Sequence, residues 1–505
     1  MPLSVIPRRG TLLHGPRIAA FKLVSARLVG SVPRLQARVA DLNNAIDSNN
    51  TNSIPPSTFN SMPIREARPP TMVRPVVTAL PQNRDEFWRK VPVWRDVSAR
   101  EFLSHAWSLY KFLHAVLPDE VPYDKCSSRT QTRDEFIQDV FEGITAATMS
   151  VRMTPYILSR INWRDPRHDP IVRQFLPLKS RMIPDHPELT LDSLHEEADS
   201  PVKGLVHRYP DKALFLPTSV CPTYCTFCTR SYAVGADTET VHKASLKPGR
   251  RRWEEAFAYM ASQPQLQDIV VSGGDAYYLQ PNQLQEIGER LIAMPNIQRF
   301  RLASKGLAVA PGRVLDDADG WIDALIGLAR KARRAGKAMA WHTHFNHPNE
   351  ISWVTEAAGQ RLFEEGVMVR NQSVLLRGVN DDVETMAALI RGLADNKIFP
   401  YYVYQCDMVK SVEHLRTPLQ TILDLEARIR GSIAGFMMPS FVVDLPGGGG
   451  KRLACSFESY DRATGVSQYT APAVTGRDKE NKVYKYYDPV DLLPKDTDGG
   501  CVDGG

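Results

Sequence analysis

The sequence predicts an α/β fold: a partial (β/α)6 barrel, preceded by a mainly helical region and followed by a C-terminal extension. Between residues 213 and 406, six short apolar runs that end in polar or glycine residues alternate with amphipathic stretches of helical period. Strands and helices that alternate in this way form a parallel sheet, and six units in series favour a sheet curled into a partial barrel. We place the helical region at residues 85–204, the barrel core at 205–432 and the extension at 433–505.

The predicted strands and helices follow one another along the chain. The predicted strands are ALFLPTSV, DIVVSGGD, RFRLAS, AMAWHTHF, VMVRNQSVL and YYVYQC. The predicted helices between them are WEEAFAYMAS, LQEIGERLIAM, WIDALIGLARKARRAGK, ISWVTEAAGQRLFEEG and VETMAALIRGLADN. The third helix places its apolar residues on one face, and Gly336 is predicted to end it. In the helical region, EFLSHAWSLYKFLHAVL has the same period.

The composition limits the class of protein. At 43% hydrophobic and 24% charged residues, the 505-residue chain resembles an ordinary globular protein. Seven basic residues precede Asp41, the first acidic residue, and without them the formal net charge of +5 becomes about −2. The charge therefore gives no reason to expect a nucleic-acid partner. No apolar run approaches the roughly 18 residues needed to cross a membrane, so we expect no membrane partner either.

The composition of the first 84 residues predicts a targeting segment followed by a linker. Residues 1–40 are rich in Arg, Ser, Leu and Ala and lack acids, which is typical of a mitochondrial transit peptide and predicts the mitochondrial matrix; the alternative is a basic tail on a cytoplasmic protein. Residues 41–84, rich in Asn, Ser and Pro, predict a disordered linker. Seven cysteines, three of them in one loop, do not form an even disulfide framework, and this indicates a reducing compartment.

Three cysteines in the run VCPTYCTFCTR are the most informative feature of the chain. Cys221, Cys225 and Cys228 bring three thiolates onto one loop, one fewer than the four that close a cubane 4Fe-4S cluster, so one iron stays open for a ligand. The alternative is a zinc knuckle, but His207 and His242 do not lie at finger-like spacing. With Phe227 before the last cysteine, the run resembles the CxxxCxφC signature of the radical S-adenosylmethionine (SAM) enzymes.

Polar residues fall regularly at the ends of the predicted strands, where the chemistry of such barrels takes place. The candidates for cofactor binding at these ends are Gly273, Gly274, Asp275, His344 and Gln372. The two glycines would let the backbone approach a ligand, and Asp275 would accept a hydrogen bond from it. In the radical SAM interpretation this GGD loop receives the methionine amino group of SAM. By itself, GGD resembles many strand-to-helix turns.

The second strong motif is FVVDLPGGGGKR, a β-branched run followed by four glycines and Lys451. Four ordered glycines are entropically costly, so they suggest close backbone approach to a bulky group such as a phosphate. A lysine after such a loop, with its pKa lowered by burial or by a cationic neighbour, could form a Schiff base with an aldehyde. The alternative is a flexible surface loop with a solvated lysine.

From about Trp88 to Tyr487 the chain resembles the lysine 2,3-aminomutase family, whose members are radical SAM enzymes that also use pyridoxal phosphate (PLP). The matching stretches are MTPYILSRI, EEADSPVKGLVHRYPDKALFL, VSGGDA, HTHFNHPNE, NQSVLLRGVND, YYVYQCD, EHLRTPLQ and FVVDLPGGGGK. The resemblance implies a radical SAM barrel with a PLP-binding lysine in the C-terminal extension. It also implies that the three cysteines hold the cluster and that Lys451 binds PLP.

The resemblance implies roles for further residues. Arg230 stands where the family binds the substrate carboxylate, and Asp407 and Asp444 stand where it binds the side-chain ammonium. A bidentate Arg suits a carboxylate, and two carboxylates around one ammonium offset the cost of burying it. Tyr404 is implied to lie against the cofactor ring. Arg208 and Lys212, in HRYPDK, lie near where the family's phosphate-binding cations are expected.

The implied reaction moves the α-amino group of L-lysine to the β-carbon and gives β-lysine, through a 5′-deoxyadenosyl radical and a PLP imine. It requires an electron donor for the cluster and a small amino acid as substrate. Two alternatives remain: an aminomutase for another amino acid, or a non-catalytic iron-sulfur protein for redox or sensing. Where family members often carry a zinc-binding cysteine, this chain has Asp382, so a structural zinc is not expected and the form of a possible homo-oligomer is open.

Overall fold

The structure is a computed structural model that describes residues 106–124, 128–244, 246, 249–474, 479 and 481–494. The targeting segment predicted at residues 1–40, the linker predicted at 41–84 and the start of the predicted helical region lie outside the described residues and stay predictions. None of the described helices is long and apolar enough to span a bilayer.

The region before the barrel consists of short helices and one small hairpin. Its helices are α1 Ala106–Val116, α2 Arg133–Ala146, α3 Pro155–Arg160 and α4 Pro170–Phe175, and its hairpin joins β1 Glu120–Pro122 to β2 Thr130–Thr132. A capping box, in which Thr132 and Glu135 exchange side-chain and backbone hydrogen bonds, starts α2. Beyond α4 the chain to residue 204 is irregular apart from one 3₁₀ turn. This irregular segment contributes Leu194 and Glu196 to the wall of a central cavity.

Nine strands form the central sheet. They are β3 Leu205–Tyr209, β4 Lys212–Phe215, β5 Asp268–Val271, β6 Arg299–Ala303, β7 Ala338–Thr343, β8 Met368–Val374, β9 Phe399–Tyr404, β10 Ser440–Leu445 and β11 Gly450–Leu453. The helices that follow the strands are α5 Arg250–Ser262, α6 Pro281–Ala293, α7 Gly306–Val309, α8 Trp321–Arg334, α9 Trp353–Glu364, α10 Val383–Asp395 and α11 Leu419–Ile429.

The strand order follows the chain, with β4 to β10 parallel and the two outer strands, β3 and β11, antiparallel to their neighbours. All six predicted strands and all five predicted helices are present. The α/β prediction is therefore confirmed. The sheet also continues past residue 432, because β10 adds a seventh parallel strand and β11 pairs with it. The predicted start of the extension at 433 thus lies inside the barrel sheet.

The sheet separates a hydrophobic outer layer from an inner face. In β5, Ile269 and Val271 are fully buried in the core, whereas Val270 between them lines a central cavity. The helices complete the outer layer: α8 buries the apolar face predicted for it, and Gly336, with a φ of 70°, follows its end. This alternation directs every second strand residue inward.

The two edges of the sheet meet through a side chain. The sheet order gives β3 and β11 one strand neighbour each, yet the backbone N–H of Lys451 on β11 donates to the Tyr209 hydroxyl on β3 at 2.9 Å. A flat nine-stranded sheet would hold its outer strands far apart at about 4.8 Å per strand. The sheet is therefore curled into a partial barrel whose gap is bridged at Tyr209.

A small sheet follows the barrel, formed by β12 Ser459–Asp461, β13 Val466–Thr470 and β14 Val483–Tyr487. Its buried Tyr486 donates to the backbone oxygen of Cys406 at 2.8 Å. Cys406 directly follows β9 and precedes Asp407. The small sheet thereby supports the backbone beside one of the predicted site residues.

Candidate active site

The inner face of the barrel lines a cavity of about 360 Å³, to which residues from β3 through β11 contribute. Every residue predicted above to bind a cofactor, a cluster or a substrate lines this cavity. The individual roles stay predictions, but residues spread over more than 240 positions of sequence come together. The two strongest motifs, the cysteine loop at 221–228 and the glycine loop ending at Lys451, contribute to the same cavity.

The cysteine loop is held by the region that precedes the barrel. The backbone N–H of Tyr224 donates to the oxygen of Arg152 at 2.8 Å, and that of Thr226 donates to the oxygen of Gln174 at 2.9 Å. The Thr223 and Thr226 hydroxyls donate to backbone oxygens of the same region. The region therefore fixes the conformation of the loop that carries the three thiols.

The three thiols are partly buried, and each is close enough to the others to influence its ionisation. Burial raises the pKa of all three, that of Cys225 to about 12, so in the protein alone they are neutral. Among the described residues no group of three Cys, His, Asp or Glu side chains converges on a single ion position. A cubane does not require this, because each of its cysteines binds a different iron, whereas a zinc site needs all ligands around one atom. The donor set fits a cluster whose positive charge would favour thiolates.

The GGD loop packs tightly on the backbone that leads into the cysteine loop. A Cβ on Gly273, which has a φ of 97°, would lie 2.2 Å from the Thr218 oxygen, and one on Gly274 would lie 2.5 Å from the Val220 oxygen. These glycines are therefore needed for contact between two backbones, in addition to any approach to a ligand. The Asp275 carboxylate accepts from the backbone N–H groups of Tyr277 and Lys305 at 2.7 and 2.8 Å. SAM binding by this loop stays a prediction.

Lys451 lies opposite Asp444 in the pairing of β10 with β11, so both side chains point into the barrel. Its ammonium nitrogen is 2.7 Å from Asp444 Oδ2 and 5.6 Å from the centre of the Tyr404 ring. Burial by itself would lower the pKa of Lys451, but the Asp444 carboxylate outweighs it and raises the pKa well above the usual value. The expected lowering of this pKa is therefore wrong for the protein without ligands, in which Lys451 is a cation.

Two buried carboxylates have unused oxygens. Asp407 Oδ2 accepts from the Thr229 hydroxyl at 3.0 Å, and Asp444 Oδ2 holds Lys451. The Oδ1 atoms of both are buried and accept no hydrogen bond from the described residues. Burial, followed by repulsion from Asp444, raises the pKa of Asp407 to about 7. Two such oxygens in one cavity fit a missing cation.

The basic residues of the cavity carry acidic partners that the sequence motifs did not reveal. Arg230 forms a bidentate pair with Glu196, and Arg208 pairs with Asp199 at 2.7 Å. Lys212 lies 4.0 Å from the centre of the Tyr209 ring. Both acids belong to the stretch EEADSPV, and only its match to the family could have drawn attention to them.

The wall beside the cysteines contains a further cation that sequence reasoning missed. Lys305 follows β6, lines the cavity, and donates to Glu350 at 3.1 Å and to the backbone oxygen of His344 at 2.7 Å. The His344 ring stacks on Phe227 at 5.5 Å. Burial lowers the pKa of His344, so its ring is neutral. Gln372 on β8 also lines the cavity. It lies on the other side of His344 from Lys305, because β8 and β6 flank β7 in the sheet.

Comparisons with known proteins give close relatives. The chain is 35% identical to L-lysine 2,3-aminomutase of Clostridium subterminale, over 80% of this chain and 89% of that protein. It is 31% identical to L-lysine 2,3-aminomutase of Bacillus subtilis (81% and 80% covered) and 30% identical to glutamate 2,3-aminomutase of Clostridioides difficile (68% and 76% covered). These relatives are bacterial, so they give no support to the mitochondrial prediction.

Two other comparisons add little. No protein-family model matches the chain. Among solved structures, Streptococcus suis SuiB bound to S-adenosylmethionine matches with a TM-score of 0.33 and 14% identity over 47% of this chain and 51% of that chain, a likeness too small to carry an argument. The identity and coverage of the curated relatives are decisive: this chain belongs to the L-lysine 2,3-aminomutase family and is an enzyme of the aminomutase type.

Proposed function

We propose that this protein is a radical SAM aminomutase that moves the α-amino group of L-lysine to the β-carbon and so forms β-lysine. The observation that carries the proposal is the shared cavity: three thiols that fit an iron-sulfur cluster and the amine of Lys451 line the same space. When bound, the cluster with SAM supplies a radical that removes a hydrogen atom, and PLP supplies a carbonyl that amines attack. An external electron donor is required.

The choice of lysine as the substrate rests on two carboxylates of the cavity wall, Asp407 and Asp444. The unused oxygens of Asp407 and Asp444 are acceptors for the side-chain ammonium of lysine, which would take the place of the missing cation. Asp407 ionises near neutral pH, so an arriving ammonium would favour its charged form. Arg230 lines the same cavity and can accept the α-carboxylate. The relative named as a glutamate aminomutase makes glutamate the first alternative to test.

Asp444 can accept a proton from the Lys451 ammonium, which would leave the amine neutral. An amine attacks a carbonyl only when neutral, and Asp444 Oδ2 at 2.7 Å is the base within reach of the ammonium. Tyr404, which lines the cavity beside the amine, is our candidate to lie against the ring of a flat cofactor. Lys212 and Arg208 line the end of the cavity near Tyr209 and are our candidates for its phosphate.

The test is product analysis with anaerobically reconstituted protein. Given iron, sulfide, SAM, PLP, a strong reductant and each common amino acid in turn, the protein is expected to convert lysine to β-lysine, identified by mass spectrometry. Omitting SAM should abolish the product. Turnover of glutamate or another amino acid with lysine untouched would refute the substrate assignment. Absence of any SAM-dependent product from a fully loaded protein would refute the aminomutase proposal.

A further inference from the structure

Arg230 lines the cavity, and one edge of its guanidinium is already hydrogen-bonded to Glu196. Its Nε and Nη2 donate to Glu196 Oε2 and Oε1 at 2.8 and 2.7 Å, the side-on bidentate geometry of an Arg–carboxylate pair. Both side chains line the cavity, but that of Glu196 is only 4% exposed whereas that of Arg230 is 24% exposed. Arg230 is therefore the partner more open to the ligand space.

Glu196 is itself firmly held. The Tyr232 hydroxyl donates to its Oε2 at 3.0 Å, and its backbone N–H donates to Asp192 Oδ1 at 2.9 Å. Its backbone oxygen accepts from the Ser200 hydroxyl at 2.6 Å. Hydrogen bonds thus hold both the side chain and the backbone of Glu196 in the irregular segment before β3. A carboxylate fixed in this way can fix the plane of the guanidinium that it binds.

The remaining donors of Arg230 define what it can bind. A guanidinium has five N–H groups, and Glu196 takes the Nε–H and one of Nη2. One proton of Nη1 and the second proton of Nη2 lie along the other edge, and among the described residues none accepts from Nη1. This edge has the fork geometry that matches a second carboxylate.

We propose that Glu196 is a positioning residue: it holds the Arg230 guanidinium side-on so that the Nη1/Nη2 edge receives the α-carboxylate of the amino-acid substrate. The inference rests on the proposed function in that the ligand is an amino acid and that PLP binds in the same cavity. Because Glu196 neutralises Arg230, selection of a carboxylate depends on the direction of its donors more than on net charge. A carboxamide, which offers one acceptor oxygen instead of two, should then bind poorly.

The experiment compares carboxylate and carboxamide ligands in the absence of turnover. PLP-loaded wild-type protein, without SAM or reductant, is titrated with lysine and with lysinamide, and binding is followed by the change in PLP absorbance. For Glu196→Gln we expect the Kd for lysine to rise about tenfold, since a geometry-dependent charged pair is lost. The Kd for lysinamide should change less than about twofold, so the preference for the carboxylate falls.

Controls separate positioning from folding and from the substrate assignment. Glu197→Gln, the same substitution at the exposed neighbouring residue, should leave both Kd values unchanged. Tyr232→Phe removes one hydrogen bond from Glu196, should raise the lysine Kd about two- to threefold, and serves as the test if Glu196→Gln does not fold. If lysine does not bind, the tightest-binding common amino acid and its carboxamide replace it, since the α-carboxylate is shared.

Two outcomes would overturn the inference. Tighter lysine binding by Glu196→Gln would mean that Glu196 competes with the substrate for Arg230. An unchanged ratio of the two Kd values would mean that Glu196 does not orient the carboxylate-binding edge. Binding of another amino acid in place of lysine, with the expected effect of Glu196→Gln, would refute the lysine assignment and leave the positioning role intact.

Discussion

The two ends of the cavity are built in different ways. The cysteine loop draws its three thiols from eight consecutive positions, and Cys221 and Cys228 pack against apolar residues such as Met149, Tyr224 and Val234. The lysine end draws its polar groups from β3, β9, β10 and β11, and several of them are charged or can become so. One end is a local motif on a single loop, and the other is an assembly of distant residues.

The difference follows from what each end has to control. A metal cluster forms strong bonds to thiolates, so correct spacing on one rigid loop is enough. An amine that must be charged at one moment and neutral at another depends on its electrostatic surroundings, and those require groups placed around it in three dimensions. The comparison predicts that each end can be disabled without loss of the other.

The largest expected effects separate the two ends. Lys451→Ala should abolish borohydride trapping of PLP and lower β-lysine formation by more than about a thousandfold, because no other amine takes its role. Iron content and the visible absorption of the cluster should remain. Cys225→Ala should give the reverse pattern: little bound iron, with PLP still trapped on Lys451.

Matched variants control for unspecific damage. Cys455→Ala removes an exposed cysteine and Lys485→Ala an exposed lysine, and neither should change iron content or PLP trapping. Loss of both cofactors in either site variant would show that the two ends do not fold independently.

A smaller effect concerns Asp407 and pH. Its pKa of about 7 exceeds the usual 3.8, so its contribution to stability is full at low pH and is lost as the pH rises through about 7. Asp407→Asn should therefore raise Tm more above this pH than below it. Since only the ionised form holds an ammonium, lysine binding should strengthen by up to about tenfold per pH unit as the pH rises toward 7.

Norleucine separates this effect from titration of the substrate α-amino group. It shares that group with lysine but lacks the side-chain ammonium, so its binding should lack the additional pH dependence that Asp407 causes. In Asp407→Asn the pH profiles of the two ligands should coincide. Identical profiles for lysine and norleucine with wild-type protein would contradict the assignment of Asp407 to the ammonium.

The smallest effect is expected at the bridge between the sheet edges. Tyr209→Phe leaves the Lys451 backbone N–H without its acceptor, at a cost of about 1–3 kcal/mol. Tm should fall, and trapping of PLP should slow a few-fold because β11 is held less firmly.

Tyr469→Phe is the matched control, because this buried hydroxyl donates to the Ala454 oxygen at 3.0 Å and does not line the cavity. It should lower Tm and leave the trapping rate unchanged. Equal trapping rates in the two variants would show that the bridge has no part in placing Lys451.

The elements of the barrel could be predicted because their signals are local. Apolar alternation and amphipathic period gave β4 to β9 and the five helices after them, and the cysteine loop and the glycine loop stood out by spacing. The place of β10 in the sheet was missed, because the sequence of a strand does not reveal which strands pair with it. The ion pairs of Arg230 and Arg208 were missed because their acids precede them by 34 and 9 residues in an irregular segment.

By itself, the sequence determined which residue types could carry the chemistry, since thiol spacing and glycine content are properties of short segments. Only the tertiary structure decided their charge states. It placed Asp444 against Lys451 and left one oxygen of Asp407 unpartnered in a buried cavity. The physical reason is that protonation depends on distance and burial, and these arise when strands far apart in the chain curl around one space.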